Sequence, residues 1–241
     1  MPFADLTGRI AIVTGGAGAL GRATNRALLD AGATVITTDT HAHGMRDLAA
    51  SLPTDLRARL TTVEADIATE EGTAAVVRQA MATHGGVDIL VNIVGGYAGG
   101  PHIAESELAT WRQQFDLNAT TAFLMARAAI PAMQTRGGGR IINVSSRVAR
   151  TSPAGLGAYA VSKAAVITLT EVLANETRDD GITVNAIMPS VIDTPANRSA
   201  MADADFAAWV RPEQIGAVIR FLASDESGII SGAAIPVYGR A

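Results

Sequence analysis

The sequence predicts an α/β fold: a doubly wound, seven-stranded parallel sheet with helices on both faces, forming one domain over residues 1–241. Three observations predict it. Short β-branched runs alternate with longer alanine-rich helical stretches, the order that right-handed strand–helix–strand units produce. Most of the runs lack polar alternation, as expected of strands covered on both faces. No internal repeat, low-complexity segment or long Pro/Ser linker divides the 241 residues, a length that suits one large α/β domain.

In chain order, Ile10–Val13 is the first strand, and a glycine-rich turn leads it into a helix near 20–31. Thr34–Thr38 follows as a β-branched strand, with a helix near 44–51 behind it. Leu60–Glu64 and Ile89–Asn92 read as the third and fourth strands, separated by a helix near 69–83. A long helical stretch near 105–135 precedes the fifth strand, Arg140–Val144, and another near 157–178 precedes the sixth, Thr183–Met188. A helix near 212–223 and a last strand, Ala234–Val237, complete the sheet. The two long helices are apolar around most of their circumference, from Trp111 to Met133 and from Ala160 to Ala174. A helix that covers one sheet face is polar on its outside. The excess apolar surface therefore predicts a contact between subunits.

Composition removes several classes. The chain has no cysteine, which excludes a disulfide scaffold, a thiolate metal site and a cysteine nucleophile. Four scattered histidines make no metal site. A net charge of −4 with no basic run argues against a nucleic-acid partner. No stretch reaches 18 uninterrupted apolar residues and no signal peptide is visible at Met1–Asp5, so a cytoplasmic protein with no membrane partner is expected. The cations are unevenly divided: 18 arginines and a single lysine, Lys163. Arginine does not replace lysine where a compact charge is needed.

The glycine turn is Thr14-Gly15-Gly16-Ala17-Gly18-Ala19-Leu20-Gly21, between the first strand and the first helix. Glycines there let a pyrophosphate approach the helix N-terminus, where free N–H groups and the dipole favour an anion. The second strand ends in Asp39, 24 residues past Gly15, where an acid accepts hydrogen bonds from the hydroxyls of an adenosine ribose. A carboxylate there repels a 2′-phosphate, so NAD(H) is the expected cofactor. Arg22, His41 and His43 lie close in sequence, which leaves NADP(H) use open.

Lys163 stands four residues after Tyr159, in Ala158-Tyr159-Ala160-Val161-Ser162-Lys163. On a helix this spacing puts both side chains on one face. Ser146 lies 13 residues before Tyr159, just past the fifth strand, and Asn118 lies within the long helical stretch. With these residues the chain resembles the short-chain dehydrogenase/reductase family over nearly its whole length. The motifs carrying the resemblance occur in order: the Thr14–Gly21 turn, Asp66, Asn92, Gly95, Asn118, Ser146, Tyr159, Lys163, and Pro189 with Thr194. Within the compact single-domain branch the chain is most similar to 3-oxoacyl-carrier-protein reductases and to alcohol and hydroxysteroid dehydrogenases.

The resemblance implies a Rossmann-type fold and an oxidoreductase that interconverts a secondary alcohol and a ketone with NAD(H). Tyr159 is implied as general acid or base, and Lys163 as an ammonium that lowers the Tyr159 pKa and donates to the nicotinamide ribose. Ser146 is implied to orient the substrate oxygen, and Asn118 to hold a water linking Lys163 to solvent. Cofactor contacts are implied for Gly15, Gly18, Leu20, Gly21, Asp39, Asp66, Ile67, Asn92, Val94, Gly95, Tyr159, Lys163, Pro189, Ile192 and Thr194. Asn92 has an alternative role, tying adjacent strands together through its amide. The whole is expected to be a homotetramer built through the helices near 105–135 and 157–178. A dinucleotide-binding sensor of the same fold without turnover is the alternative, and the intact Ser146, Tyr159 and Lys163 speak against it.

Four positions depart from the family pattern: Ala19 in the glycine turn, Asn92-Ile93-Val94-Gly95 after the fourth strand, Pro189-Ser190, and Tyr238-Gly239-Arg240. The substrate pocket is expected from Gly95–His102, Arg147–Leu156 and a short lid near 196–210, which carries Met201, Phe206 and Trp209. Arg147 and Arg150 are candidates for binding an anionic substrate, and His102 for a second acid, each against a reading as an ordinary surface residue.

Overall fold

The computed structural model describes residues 3–240, so positions 1, 2 and 241 of the expected domain lie outside the described residues. Seven strands form: β1 (Ile10–Thr14), β2 (Thr34–Asp39), β3 (Leu60–Glu64), β4 (Ile89–Asn92), β5 (Gly139–Val144), β6 (Ile182–Pro189) and β7 (Ala234–Val237). The α-helices are α1 (Ala19–Asp30), α2 (Ala42–Ser51), α3 (Thr54–Arg57), α4 (Glu70–His84), α5 (Leu108–Phe115), α6 (Thr121–Thr135), α7 (Val148–Thr151), α8 (Gly157–Glu176), α9 (Pro195–Ala200) and α10 (Pro212–Ala223). The strands pair in parallel in the order β3-β2-β1-β4-β5-β6-β7. This is the doubly wound Rossmann-type sheet expected from the sequence.

Alternate strand residues feed two cores, which is why the runs carry no polar face. Ala11, Val13, Val91 and Ile142 point to the side covered by Leu28 and Leu29 of α1 and by Ile215, Ile219 and Leu222 of α10. Ile10, Ile12, Leu90, Ile141 and Val184 point to the other, against Val76 of α4, Met125 and Met133 of α6 and Leu173 of α8. Helix ends follow local chemistry: Thr69 caps α4 by accepting from the Gly72 N–H, and Gly85 closes it in the left-handed conformation.

The long helix expected over 105–135 is broken. A 3₁₀ turn covers Ile103–Glu105, α5 starts at Leu108, and a π turn over Asp116–Thr120 joins α5 to α6. The short helices α3, α7 and α9 were not signalled by periodicity, being too short to show one. By length and composition α8 alone among the described residues could cross a membrane, yet 44% of its most apolar window is buried inside the fold. The sheet order reverses between β1 and β4, and ligands of such sheets bind at the carboxyl ends of the strands beside this point. At the opposite end Arg9, Arg136 and Arg140 pair with Asp88 and Asp225.

Candidate active site

The glycine turn leaves β1 with Gly15 at φ +68°, a conformation that suits residues without a Cβ. Gly15 lies against Val94, where an added Cβ would come within 3.3 Å of Cγ2. A Cβ on Gly16 would strike Thr37 Oγ1, and one on Gly21 would strike the Gly15 carbonyl. At Gly18, the N-cap of α1, the nearest atom is 3.5 Å away. Backbone thus packs tightly behind the turn while its face at the start of α1 stays clear, which fits a pyrophosphate resting on the first N–H groups of α1. Leu20 contributes to this turn only through its backbone, because its side chain is in the core.

Asp39 ends β2 beside the glycine turn. Its Oδ2 accepts from the Ala17 N–H at 3.1 Å, and its Oδ1 accepts from the His41 N–H at 3.0 Å. The His41 ring Nδ1 is also 3.0 Å from Oδ1. Burial pushes the carboxyl up, but the bonds from His41 and Ala17 outweigh it and hold Asp39 below the ordinary value of 3.8. Arg22 places its guanidinium on the carbonyls of Ala17 and Gly44. Asp66 lies just past β3 and accepts from the Ala68 N–H. Ile67 is buried against Ile36 and Val76, so its side chain is core and only its backbone is free to meet a ring.

Lys163 is buried on α8, and its Nζ donates to the Val144 carbonyl at the end of β5, 2.9 Å away. Burial lowers its pKa from 10.5 to about 8. Ser145 holds the same helix from the other side through a 2.7 Å bond to the Lys163 carbonyl. Tyr159 is one turn earlier. Burial raises its phenol above 10.0, the Ser146 hydroxyl beside it acts in the opposite direction, and Tyr97 raises it further. The sequence-based expectation that Lys163 lowers Tyr159 is not met in this state: Nζ is drawn to Val144, and Lys163 is not among the groups that shift the phenol. Ser146 itself accepts from the Val148 N–H at 3.2 Å.

Asn118 sits in the π turn and grips the backbone of Gly96 in both directions. Its Oδ1 accepts from the Gly96 N–H at 3.0 Å, and its Nδ2 donates to the Gly96 carbonyl at 3.1 Å. Nδ2 also reaches Ser162 Oγ at 3.1 Å and Gln114 Oε1 at 3.3 Å. Gly95 fits between this amide and the lysine: a Cβ there would lie 2.7 Å from Asn118 Oδ1 and 2.8 Å from Lys163 Nζ. Asn92 donates to Asn143 Oδ1 on β5 at 2.9 Å, the strand-tying bond of its alternative role. Pro189 ends β6, Ile192 bridges to Val210, and Thr194 caps α9 through the Asn197 N–H.

Three contributors carry weaker sequence signals. Thr14 Oγ1 accepts from the Ile93 and Val94 N–H groups, fixing the segment after β4 to β1. Tyr97, 68% exposed, packs edge-on to Tyr159 with ring centroids 5.3 Å apart; an aromatic inside a glycine run was its only signal. Ser190 donates to the Tyr238 carbonyl at 2.7 Å, so two departures from the family pattern are bonded to each other. Phe206 and Trp209, in the segment expected to form a lid, pack on one another with ring centroids 4.8 Å apart. The Arg240 N–H donates to the Ala208 carbonyl.

The profile of the short chain dehydrogenase family matches residues 9–205. The cis-4-hydroxycyclohexanecarboxylate dehydrogenase of Sinomonas cyclohexanicum is 35% identical, over 96% of this chain and 95% of its own. The 3-oxoacyl-[acyl-carrier-protein] reductase of Thermotoga maritima is 30% identical, over 97% and 98%. Among solved structures, L-sorbose reductase of Gluconobacter frateurii, complexed with NADPH and L-sorbose, superposes with a TM-score of 0.90. That match has 28% identity and covers 98% of this chain and 97% of that one.

Proposed function

The chain belongs to the short-chain dehydrogenase family and is an oxidoreductase, and on that premise we propose that it interconverts a secondary alcohol and a ketone with NAD(H) in preference to NADP(H). The observation that carries the reading is the convergence of Ser146, Tyr159 and Lys163 at the end of β5, with Gly95 close to Lys163 Nζ and Gly15 of the glycine turn against Val94. Relatives named for hydroxy and keto substrates support it.

The turn at Gly15, Gly18, Leu20 and Gly21 would hold the pyrophosphate and Asp39 the adenosine ribose. Asp66, Ile67, Asn92, Val94 and Gly95 would line the rest of the channel, with Pro189, Ile192 and Thr194 at the nicotinamide end. When bound, the nicotinamide supplies or accepts the hydride. Ser146 orients the substrate oxygen. In reduction Tyr159 gives its phenol proton to that oxygen as the carbon gains the hydride, and in oxidation it takes the proton back. Lys163 offers its ammonium to the nicotinamide ribose and favours the phenolate once its hydrogen bond to Val144 yields. Asn118 holds the Gly95–Gly96 segment close beside Nζ, and a water held at its amide would link the lysine to solvent so that protons leave or arrive.

The same reading includes a single catalytic domain over 1–241, a lid near 196–210, a cytoplasmic location and a homotetramer. Val161 and Val172, each 44% exposed on one face of α8, and Phe123, 46% exposed on α6, support the last of these. The test is NADH oxidation against a panel of ketones with wild type and Tyr159→Phe, and with NADPH in parallel. Turnover lost by about 10²–10⁴-fold in the variant is expected. Full activity in Tyr159→Phe would refute the mechanism, and NADH binding without turnover of any ketone would favour the sensor.

A further inference from the structure

We propose that Arg147 binds a carboxylate on the substrate, so that the ketones and alcohols turned over are keto acids and hydroxy acids. The inference rests on the reading of Ser146 and Tyr159 as the reacting end. Arg147 follows Ser146 directly, about 3.8 Å away along the backbone. Its N–H donates to the Pro189 carbonyl at 2.9 Å, which ties it to the end of β6. Its guanidinium carbon lies over the Tyr238 ring, 5.9 Å from the centroid. Tyr238 in turn is anchored by Ser190, through Oγ to the Tyr238 carbonyl and through the Ser190 N–H to the Val237 carbonyl.

Stacking on an aromatic face orients a guanidinium without using its N–H groups. Among the described residues those groups have no acceptor: Arg147 makes no ion pair there, and no side-chain hydrogen bond leaves its guanidinium. Other partly buried arginines are engaged, Arg22 with two carbonyls and Arg140 with Asp225 and two carbonyls. Arg150, one turn further on α7, adds a second positive charge with no carboxylate partner among the described residues. A planar fork stacked on Tyr238, on the residue next in the chain to the substrate-orienting serine, suits a bidentate carboxylate, which its geometry matches better than a point charge does. Ser190 stands where the family pattern has a glycine and Tyr238 where it has an aspartate, so both residues of the platform under Arg147 depart from that pattern.

The experiment compares wild type, Arg147→Gln and Arg147→Lys on 3-oxo, 4-oxo and ring keto acids, each paired with its methyl ester. Binding of the same acids to the NADH complex is read from nicotinamide fluorescence. Wild type is expected to prefer at least one acid over its ester by tenfold or more in kcat/KM. Arg147→Gln should reduce that preference at least tenfold while ester turnover and NADH affinity hold, and Arg147→Lys should restore only part of it. Preference for every ester, or an acid preference that survives Arg147→Gln, overturns the proposal. Acids that bind through Arg147 but are never reduced would uphold it and overturn the ketone-reductase reading instead. Loss of both turnover and Arg147-dependent binding across the panel overturns it.

Discussion

Lys163 Nζ and the Val144 carbonyl oxygen, 2.9 Å apart, join α8 to the end of β5 in a buried setting. A tetrahedral ammonium fits there with Gly95 close on one side. A guanidinium is planar and larger, and cannot offer the same compact charge. Lys163→Arg is therefore expected to lose at least about tenfold in kcat/KM despite its conserved charge, the effect of one charge-assisted bond. Near-wild-type kinetics would show that any cation serves.

The same lysine makes stability depend on pH. Folding lowers its pKa from 10.5 to about 8. Between these values the unfolded chain keeps a proton that the folded chain releases, so stability rises with pH across that window. Below pH 8 both states are charged and the full penalty, on the order of 3 kcal/mol, is present. Lys163→Met removes it. The Tm of Lys163→Met relative to wild type should fall steadily from pH 7.5 to pH 10; a difference that stays flat would mean the lysine is hydrated.

Asp39 is held below the usual carboxylate range by His41 and Ala17, which favours its anionic form. Asp39→Ala should lower kcat/KM for NADH by about 10–100-fold, as for loss of charge-assisted hydrogen bonds, and raise that for NADPH. His41→Ala removes the ring from Oδ1 while the backbone N–H at position 41 stays, and should tighten NADH binding. Unchanged cofactor ratios in Asp39→Ala would remove this residue from the specificity argument.

Gly95→Ala places a methyl against Asn118 and Lys163 together. Overpacking of this kind costs about 1–3 kcal/mol, and turnover should fall with the displaced lysine. Gly100→Ala meets nothing within 4 Å and serves as the control. Equal activity in the two variants would show that the Gly95 contact is soft.

Val161 and Val172 are eleven residues apart, three turns of α8, and present one apolar face. Val161→Glu with Val172→Glu should convert a tetramer to smaller species in sedimentation equilibrium while far-UV circular dichroism is retained. A wild type that sediments as a monomer would remove the oligomer from the proposal.

The strands were legible because burial on both faces leaves an apolar β-branched run with no competing pattern, as in Ile10–Thr14 and Ile182–Pro189. The order of motifs then led to Tyr159, Lys163 and Ser146. The break at Asp116–Thr120 was not legible, since a π turn adds a residue without changing composition. Its evident partner, the backbone of Gly96, is 22 positions away. The direction of the Lys163 ammonium was likewise hidden, because a backbone carbonyl on β5 carries no side-chain signature. Ile67 and Leu20 read as cofactor contacts by position, whereas their side chains belong to the core.

Asn92 and Asn143 are register partners on β4 and β5, joined at 2.9 Å, and Asn143 continues to Thr170 on α8 at 2.9 Å. Apolar strands can slide past one another with little to mark the correct setting. An amide pair in the core penalises every setting but one, since a shift would strand buried donors and acceptors. The three groups act as a datum line from which the depth of the cleft is measured. One residue beyond Asn143 is the Val144 carbonyl, three beyond is Ser146, and three beyond Asn92 is Gly95. Loops at the mouth are thereby left free to diverge while the atoms to which the proposed mechanism gives the hydride and proton transfers would keep their alignment.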